Sequence, residues 1–206
     1  MDDRSLAEQA AHRAVDARVR TSEQDVRRLL DEGLALIAAG GADRPPRLTD
    51  IIRAAGLSNQ AFYRYFASKD DLVAAIVDDG ERRLVAYVGR QLAQAALPDA
   101  LRVFVEAVTS QALDPRVAAA TRAVLWNAGR ALDSGGTRSR QLHALLAELL
   151  APSLDALGSS DPARDAAVIA GAVTSFMLDS LWQQTPPEPA DVRHLLAFCE
   201  AGLRRR

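Results

Sequence analysis

The stretch Leu48 to Leu72, LTDIIRAAGLSNQAFYRYFASKDDL, decides the fold. It reads as two short helices joined by a glycine turn, followed at once by the start of a third helix. Thr49 or a near neighbour can cap the first piece, and Ile51, Ile52 and Ala55 give it an apolar stripe at helical spacing. Gly56 is expected to end that piece in the left-handed conformation a Cβ would penalise, with Leu57 turned inward as a pin. Ser58 then caps a second helix running to Phe66, in which Ala61, Phe62, Tyr65 and Phe66 recur at intervals of three and four. The pattern is a helix-turn-helix.

The charge around it is concentrated. Between Arg44 and Lys69 stand Arg44, Arg47, Arg53, Arg64 and Lys69 against a single acid, Asp50, although the whole chain carries a formal charge of -2. A weakly acidic protein has no general affinity for polyanions, so a nucleic-acid surface must be local, and this segment has the sign that phosphate docking requires. Asp70 and Asp71 follow in the first turn of the third helix, where the helix dipole favours them. A recognition helix offers its first residues and outward face to base edges. Asn59 and Gln60 lie at that end, with amides that can donate to and accept from adenine. Tyr63 and Arg64 project one turn later, and Lys69, the only lysine beside twenty-four arginines, can neutralise a phosphate. With Arg47, Thr49 and Ser58 these make up the candidate DNA-binding set, whereas Tyr65 and Phe66 read as core aromatics.

At these residues the chain resembles the amino-terminal DNA-binding domain of TetR-family transcriptional regulators. The Ala55-Gly56-Leu57-Ser58 turn, the Tyr63-x-x-Phe66 pair and the Ser68-Lys69-x-x-Leu72 helix opening stand in that family's order and spacing. The match covers about fifty residues, Thr21 to Leu72. The resemblance implies a three-helix head on a larger helical body, a phosphate contact for Tyr63, and subunits paired through their last two helices. Ala61 departs from the hydroxyl residue common at its position in the family, so the resemblance implies one phosphate or base contact fewer here.

The remaining chain is read as all-α, about nine helices in total, with no strand-period segment and no repeat. Residues 1–20 are expected to be a flexible arm, either a solvated extension or one that places Arg18 and Arg20 in a minor groove. Residues 21–72 form the helix-turn-helix domain, its first helix running from a Thr21 or Ser22 cap to Ala39 with Val26, Leu29, Leu30, Gly33, Leu34 and Ile37 on one face. Residues 73–206 form the helical effector-binding and dimerisation domain. There, Asp114–Pro115 and Asp161–Pro162 are cap-and-start pairs, and SGGT, Ser134 to Thr137, is a loop. The helix after Asp161 is apolar nearly all round, with Ala and Gly on more than one face, so it needs covering on all sides; residues 161–206 are the expected homodimer surface.

Phe104, Trp126, His143, Phe176, Met177 and Trp182 are candidates to line an apolar pocket for a small-molecule effector. Cys199, the single cysteine, excludes an internal disulfide and reads as an apolar filler. No cofactor, metal site or catalytic constellation is expected, since no Gly-x-Ser-x-Gly, His-Glu-x-x-His or cysteine pair occurs. No run of eighteen uninterrupted apolar residues or secretion signal is present, so no membrane span is expected and the cytoplasm is the expected location. The function that follows is a homodimeric regulator, most simply a repressor released from a palindromic operator of double-stranded DNA by a small apolar ligand. A helical interaction module without DNA binding, or an activator of the same build, are the alternatives.

Overall fold

A computed structural model describes residues 6–41, 44–129 and 135–204. Among the described residues the chain is all-α, as predicted. The elements are α1 Leu6–Gly40, α2 Leu48–Ala54, α3 Asn59–Tyr63, α4 Lys69–Gln94, a single 3-10 turn Leu97–Asp99, α5 Ala100–Leu113, α6 Pro115–Gly129, α7 Gly135–Ala156, α8 Pro162–Gln183 and α9 Pro189–Arg204.

Two apolar cores organise these helices. The first joins α1, α2, α3 and the start of α4 around Leu29, Ile37, Ile51, Phe62 and Leu72, each without solvent exposure. The second joins α4 to α9 around Val88, Phe104, Leu146, Leu150, Leu154 and Val173. Helix α4 belongs to both, giving Leu72, Val73, Ile76 and Val77 to the first and Leu84 and Val88 to the second. A 26-residue helix spans about 39 Å, so it reaches from one core to the next as one rigid element. Helix α6 also crosses over: Ala123, Val124 and Ala128 pack in the first core.

Local signals place several helix ends well. Asp114 Oδ1 accepts from the backbone N–H groups of Arg116 at 2.8 Å and Val117 at 3.1 Å, and Asp161 Oδ1 accepts from Arg164 at 3.2 Å. Others differ from expectation. Helix α1 begins at Leu6, not Thr21, so Leu6 to Arg20 is helix and not an extended arm, with Arg18 and Arg20 exposed on it. The segment is rich in Ala and Arg, both strong helix formers, and Thr21 is accommodated inside by donating its hydroxyl to the Ala17 carbonyl at 2.9 Å. Residues 1–5 of the expected arm lie outside the described residues. Thr49 does not cap α2; the cap position is Arg47, which makes no side-chain cap bond. Of the expected SGGT loop, Gly135 to Thr137 already belong to α7, and Ser134 lies outside the described residues. By length and composition α8 is apolar enough to cross a membrane, although polar residues interrupt its apolar runs. Its Ile169, Ala170, Val173, Met177 and Leu181 are packed in the second core.

Candidate nucleic-acid interface

The turn between α2 and α3 is built by backbone bonds that leave one conformation for Gly56. Leu57 N–H donates to the Ile52 carbonyl at 3.1 Å and Gly56 N–H to that of Arg53 at 3.0 Å, the paired closure of a Schellman motif, with Gly56 at φ 68°. Any side chain there would meet the left-handed penalty. Ser58 then takes an extended conformation and its Oγ accepts from Ala61 N–H at 3.1 Å, starting α3 immediately. Helix α3 is shorter than predicted: it closes at Tyr63, Arg64 and Tyr65 form a turn, and the Tyr65 and Phe66 N–H groups bond back to the Phe62 carbonyl at 2.9 and 3.1 Å. Ser68 Oγ accepts from Asp71 N–H, and Asp71 Oδ2 accepts from Ala67 N–H, each at 3.1 Å, a reciprocal cap that fixes the start of α4.

This scaffold sorts the side chains into two faces. Phe62 is fully buried and Ala61 is 8% exposed, while Tyr65 and Phe66 are half-buried against the first core. On the other face Ser58, Asn59, Gln60 and Arg64 are exposed and Tyr63 stands 59% exposed. Arg47 and Thr49 at the start of α2 are exposed, and Lys69 at the start of α4 is half-buried. Arg53 is open as well, 3.6 Å from Asp50. All eight residues of the candidate set therefore reach solvent around one helix-turn-helix. Ala61 does not; its side chain lies inward, so no surface position is left empty by its lack of a hydroxyl.

Three residues hold this head together in a way that the sequence pattern does not signal. Asp25 of α1, 6% exposed, accepts from the Tyr65 hydroxyl at 3.1 Å and from Arg28 at 2.5 Å. The Arg28 guanidinium lies beside the turn, 3.9 Å from where a Cβ on Gly56 would stand. One buried carboxylate thus ties α1 to the end of the helix-turn-helix through Tyr65. Arg64 lies over the Tyr65 ring at 5.6 Å, so the same ring braces an exposed cation. The sequence reading places Asp25 in the first turn of a helix expected to begin at Thr21, and its forty-residue separation from Tyr65 carries no local signal.

The six candidate effector residues do not share one environment. Phe104 is fully buried and Met177 is 3% exposed, both within the second core. His143 and Phe176 are half-buried, and burial lowers the His143 pKa from its ordinary value. Trp126 and Trp182 stand 48% and 45% exposed, with ring centroids 6.3 Å apart. Elsewhere, a groove of about 190 Å³ runs between α8 and α9, lined by Val168, Ile169, Ala172, Phe198, Cys199, Gly202 and Leu203 together with the charged Arg164 and Asp165.

Residues 29–76 match the family model of bacterial regulatory proteins, tetR family. No curated protein sequence matches the chain. Among solved structures, the chain is similar in fold to a transcriptional regulator from Rhodococcus, with 20% identity, 87% of this chain and 96% of that one covered, and a TM-score of 0.64. A TetR-family transcriptional regulator from Pectobacterium atrosepticum aligns over 98% of this chain and 95% of its own at 22% identity and a TM-score of 0.55. NalD, the secondary repressor of the MexAB-OprM multidrug efflux pump in Pseudomonas aeruginosa, aligns over 88% of this chain and 98% of its own at 20% identity and a TM-score of 0.56. Residues 29–76 thus match the helix-turn-helix model of the tetR family of bacterial regulatory proteins, and the chain as a whole is similar in fold to these regulators.

Proposed function

We propose that the chain is a homodimeric, sequence-specific DNA-binding repressor of the cytoplasm, released from a palindromic operator by a small apolar ligand. The observation that carries the DNA contact is the exposed polar and cationic face of α3 and its flanks, set on a head whose inner face is packed. In this reading Asn59 and Gln60 meet base edges, Arg64 meets guanine or phosphate, and Tyr63, Ser58, Thr49, Arg47 and Lys69 position the head on the backbone.

The homodimer reading rests on α8 and α9. Val168 is 65% exposed and Phe198 is 68% exposed, and the groove between them is lined mainly by apolar side chains beside Arg164 and Asp165. Two large apolar side chains left open beside one groove support an interface there. Two-fold pairing through residues 161–206 would set the two α3 helices about one DNA turn apart, roughly 34 to 36 Å. The effector reading keeps Phe104, Trp126, His143, Phe176, Met177 and Trp182 as the ligand-binding candidates, with Phe104 and Met177 in the second core and the two tryptophans at the surface. Ligand binding there would reach the head through α4 and α6, which contribute to or border both cores.

The test is selection of bound fragments from genomic DNA by the purified chain, followed by footprinting of the enriched site. A palindromic footprint bound by two subunits and a reporter silenced from that site support the reading. Activation from the same site would identify an activator, and binding without sequence preference would sink the operator claim.

A further inference from the structure

Among the described residues one buried side-chain polar atom has no hydrogen-bond partner, the hydroxyl of Thr174 in α8, a residue 1% exposed. Hydroxyls and amides elsewhere in α5, α6 and α8 close on their own helices. Thr109 donates to the Val105 carbonyl at 2.8 Å, Asn127 to that of Ala123 at 2.8 Å and Ser180 to that of Phe176 at 2.9 Å. Thr174 has the Ala170 carbonyl four residues back in the same relation, yet makes no bond to it. A hydroxyl taken out of water without a replacement partner is costly, so an atom of this kind calls for a group from outside the chain.

The residues around it are suited to a small ligand. One turn before Thr174 stand Ala170 and Gly171, and one turn after it Met177 and Leu178. Gly171 is half-buried and a Cβ there would meet nothing within 4 Å, so α8 leaves space at this turn. Met177, 3% exposed, is an unbranched side chain that adapts to irregular space and can yield to another apolar group. The same surroundings restrict the chemistry. Of the buried polar and charged residues besides Thr174, Asp25 belongs to the head, and Thr109 and Asn127 are bonded to their own helices. A charged ligand would find no buried counter-ion beside Thr174, and a purely apolar one would leave the hydroxyl bare. We infer that Thr174 is the polar anchor of the effector site, and that the effector is an uncharged, mainly apolar molecule whose hydroxyl or carbonyl oxygen pairs with the Thr174 hydroxyl. The inference rests on the effector reading above and adds to its candidates a residue that periodicity alone does not single out.

Phenol and toluene form one isosteric pair and threonine and valine another, each exchanging a hydroxyl for a methyl group. The experiment titrates the full-length protein, Thr174→Val and Thr174→Ser with both probes by calorimetry and follows the melting temperature of each. Without probe, Thr174→Val should melt about 2 to 4 °C above the wild type, because it removes an unpaired polar atom and keeps the shape. With probe, the wild type and Thr174→Ser should prefer phenol to toluene by about five- to tenfold, and Thr174→Val should lose that preference. Equal affinity for the two probes in the wild type, a preference that survives in Thr174→Val, or no binding of either probe would overturn the inference. A Thr174→Val protein that melts lower would mean that a bound water already completes the hydroxyl, and would overturn it as well. Operator titrations with each compound present separate this inference from the effector reading. Phenol held through Thr174 without loss of operator affinity would support the anchor and overturn the effector reading. Release by a compound that binds wild type and Thr174→Val equally would keep the effector reading and overturn the anchor.

Discussion

The guanidinium of Arg27 on α1 donates to both carboxylate oxygens of Asp79 on α4, at 3.0 and 2.8 Å. Arg83 also reaches Asp79, at 2.8 Å, and both arginines pair with Asp31, at 3.0 and 3.1 Å. Four alternating charges thus close a ring between the first helix of the head and the helix that leaves it. Bidentate geometry and shared partners raise such a ring above isolated surface pairs, while its partial exposure keeps it well below a buried one.

Asp79→Asn should therefore cost about 1 to 2 kcal/mol, read as a lowered urea midpoint at unchanged slope. The Arg27 hydrogen bonds hold the Asp79 carboxyl below its ordinary value of 3.8, with burial opposing. A carboxylate depressed in the folded state contributes stability that is present above its unfolded pKa and lost as pH falls through the folded one. The gap between wild type and Asp79→Asn should be full at neutral pH and close below about pH 4. A gap independent of pH would show that the ring does not act through charge.

Tyr65→Phe removes one donor from the buried carboxylate of Asp25 and keeps the ring in place. A fall in stability of about 0.5 to 1.5 kcal/mol is expected, with Asp25→Ala costing more because it strands the Tyr65 hydroxyl and frees Arg28. Since neither residue is in the candidate DNA-binding set, any fall in operator affinity must come through the position of α3. Thermal melts and operator titrations on the same variants separate the two effects; full operator affinity in a destabilised Tyr65→Phe protein would deny the clamp a role in recognition.

These two clamps also mark where the legibility of the sequence stops. The turn and its caps are legible because their signals are local: Gly56, Ser58, Ser68, Asp114 and Asp161 each act within a few residues of themselves. The start of α1 is not, because Thr21 has the chemistry of a cap and sits instead within a run of strong helix formers that overrides it. The inward side of α3 is legible from its spacing, yet the resemblance treats Ala61 as a surface position as well, and its burial decides the matter. The Asp25–Tyr65 and Arg27–Asp79 bonds join residues 40 and 52 positions apart, and the seating of α6 in the head core depends on the tertiary fold. Nothing in the periodicity of one helix names its distant partners.

Gly33 offers a stability test of the first core. A Cβ there would stand 2.8 Å from Ile76 Cδ1 and 3.7 Å from Ile51 Cγ2 and Leu72 Cδ2. Alanine gains about 0.5 to 1 kcal/mol of helix propensity and needs only the tip of Ile76 to shift, so Gly33→Ala should be close to neutral. Gly33→Leu has no room and should cost about 1 to 3 kcal/mol through overpacking. Calorimetric melts of the pair check the order; a leucine as stable as the alanine would mean that α1 and α4 are not closely packed there.

Cys199 lies 5% exposed in the α8–α9 groove, and burial raises its thiol pKa above the ordinary range for cysteine. The thiolate is the reactive form, so alkylation by iodoacetamide at neutral pH should run well below the rate of free cysteine. Phe198→Ala opens one side of the groove and should speed it. A fast reaction in the wild type would place the thiol in solvent.

The roles proposed at the DNA surface can be separated by what each variant changes. Lys69 at the start of α4 would meet phosphate and carry no sequence information, so Lys69→Ala should weaken every DNA by the same factor. It should also lower the slope of log affinity against log salt by about 0.9 for each phosphate no longer neutralised. Asn59 and Gln60 stand exposed on the first turn of α3, where amides can pair with a base edge. Asn59→Ala or Gln60→Ala should cost about 1 to 3 kcal/mol on the preferred site, relax preference at one base position and leave the salt slope unchanged. Titrations across a panel of single-base operator variants at several salt concentrations measure both quantities at once. Equal weakening on all sequences from Asn59→Ala and Gln60→Ala, with a reduced salt slope, would move α3 from the base edges to the backbone and leave specificity to be sought elsewhere in the head.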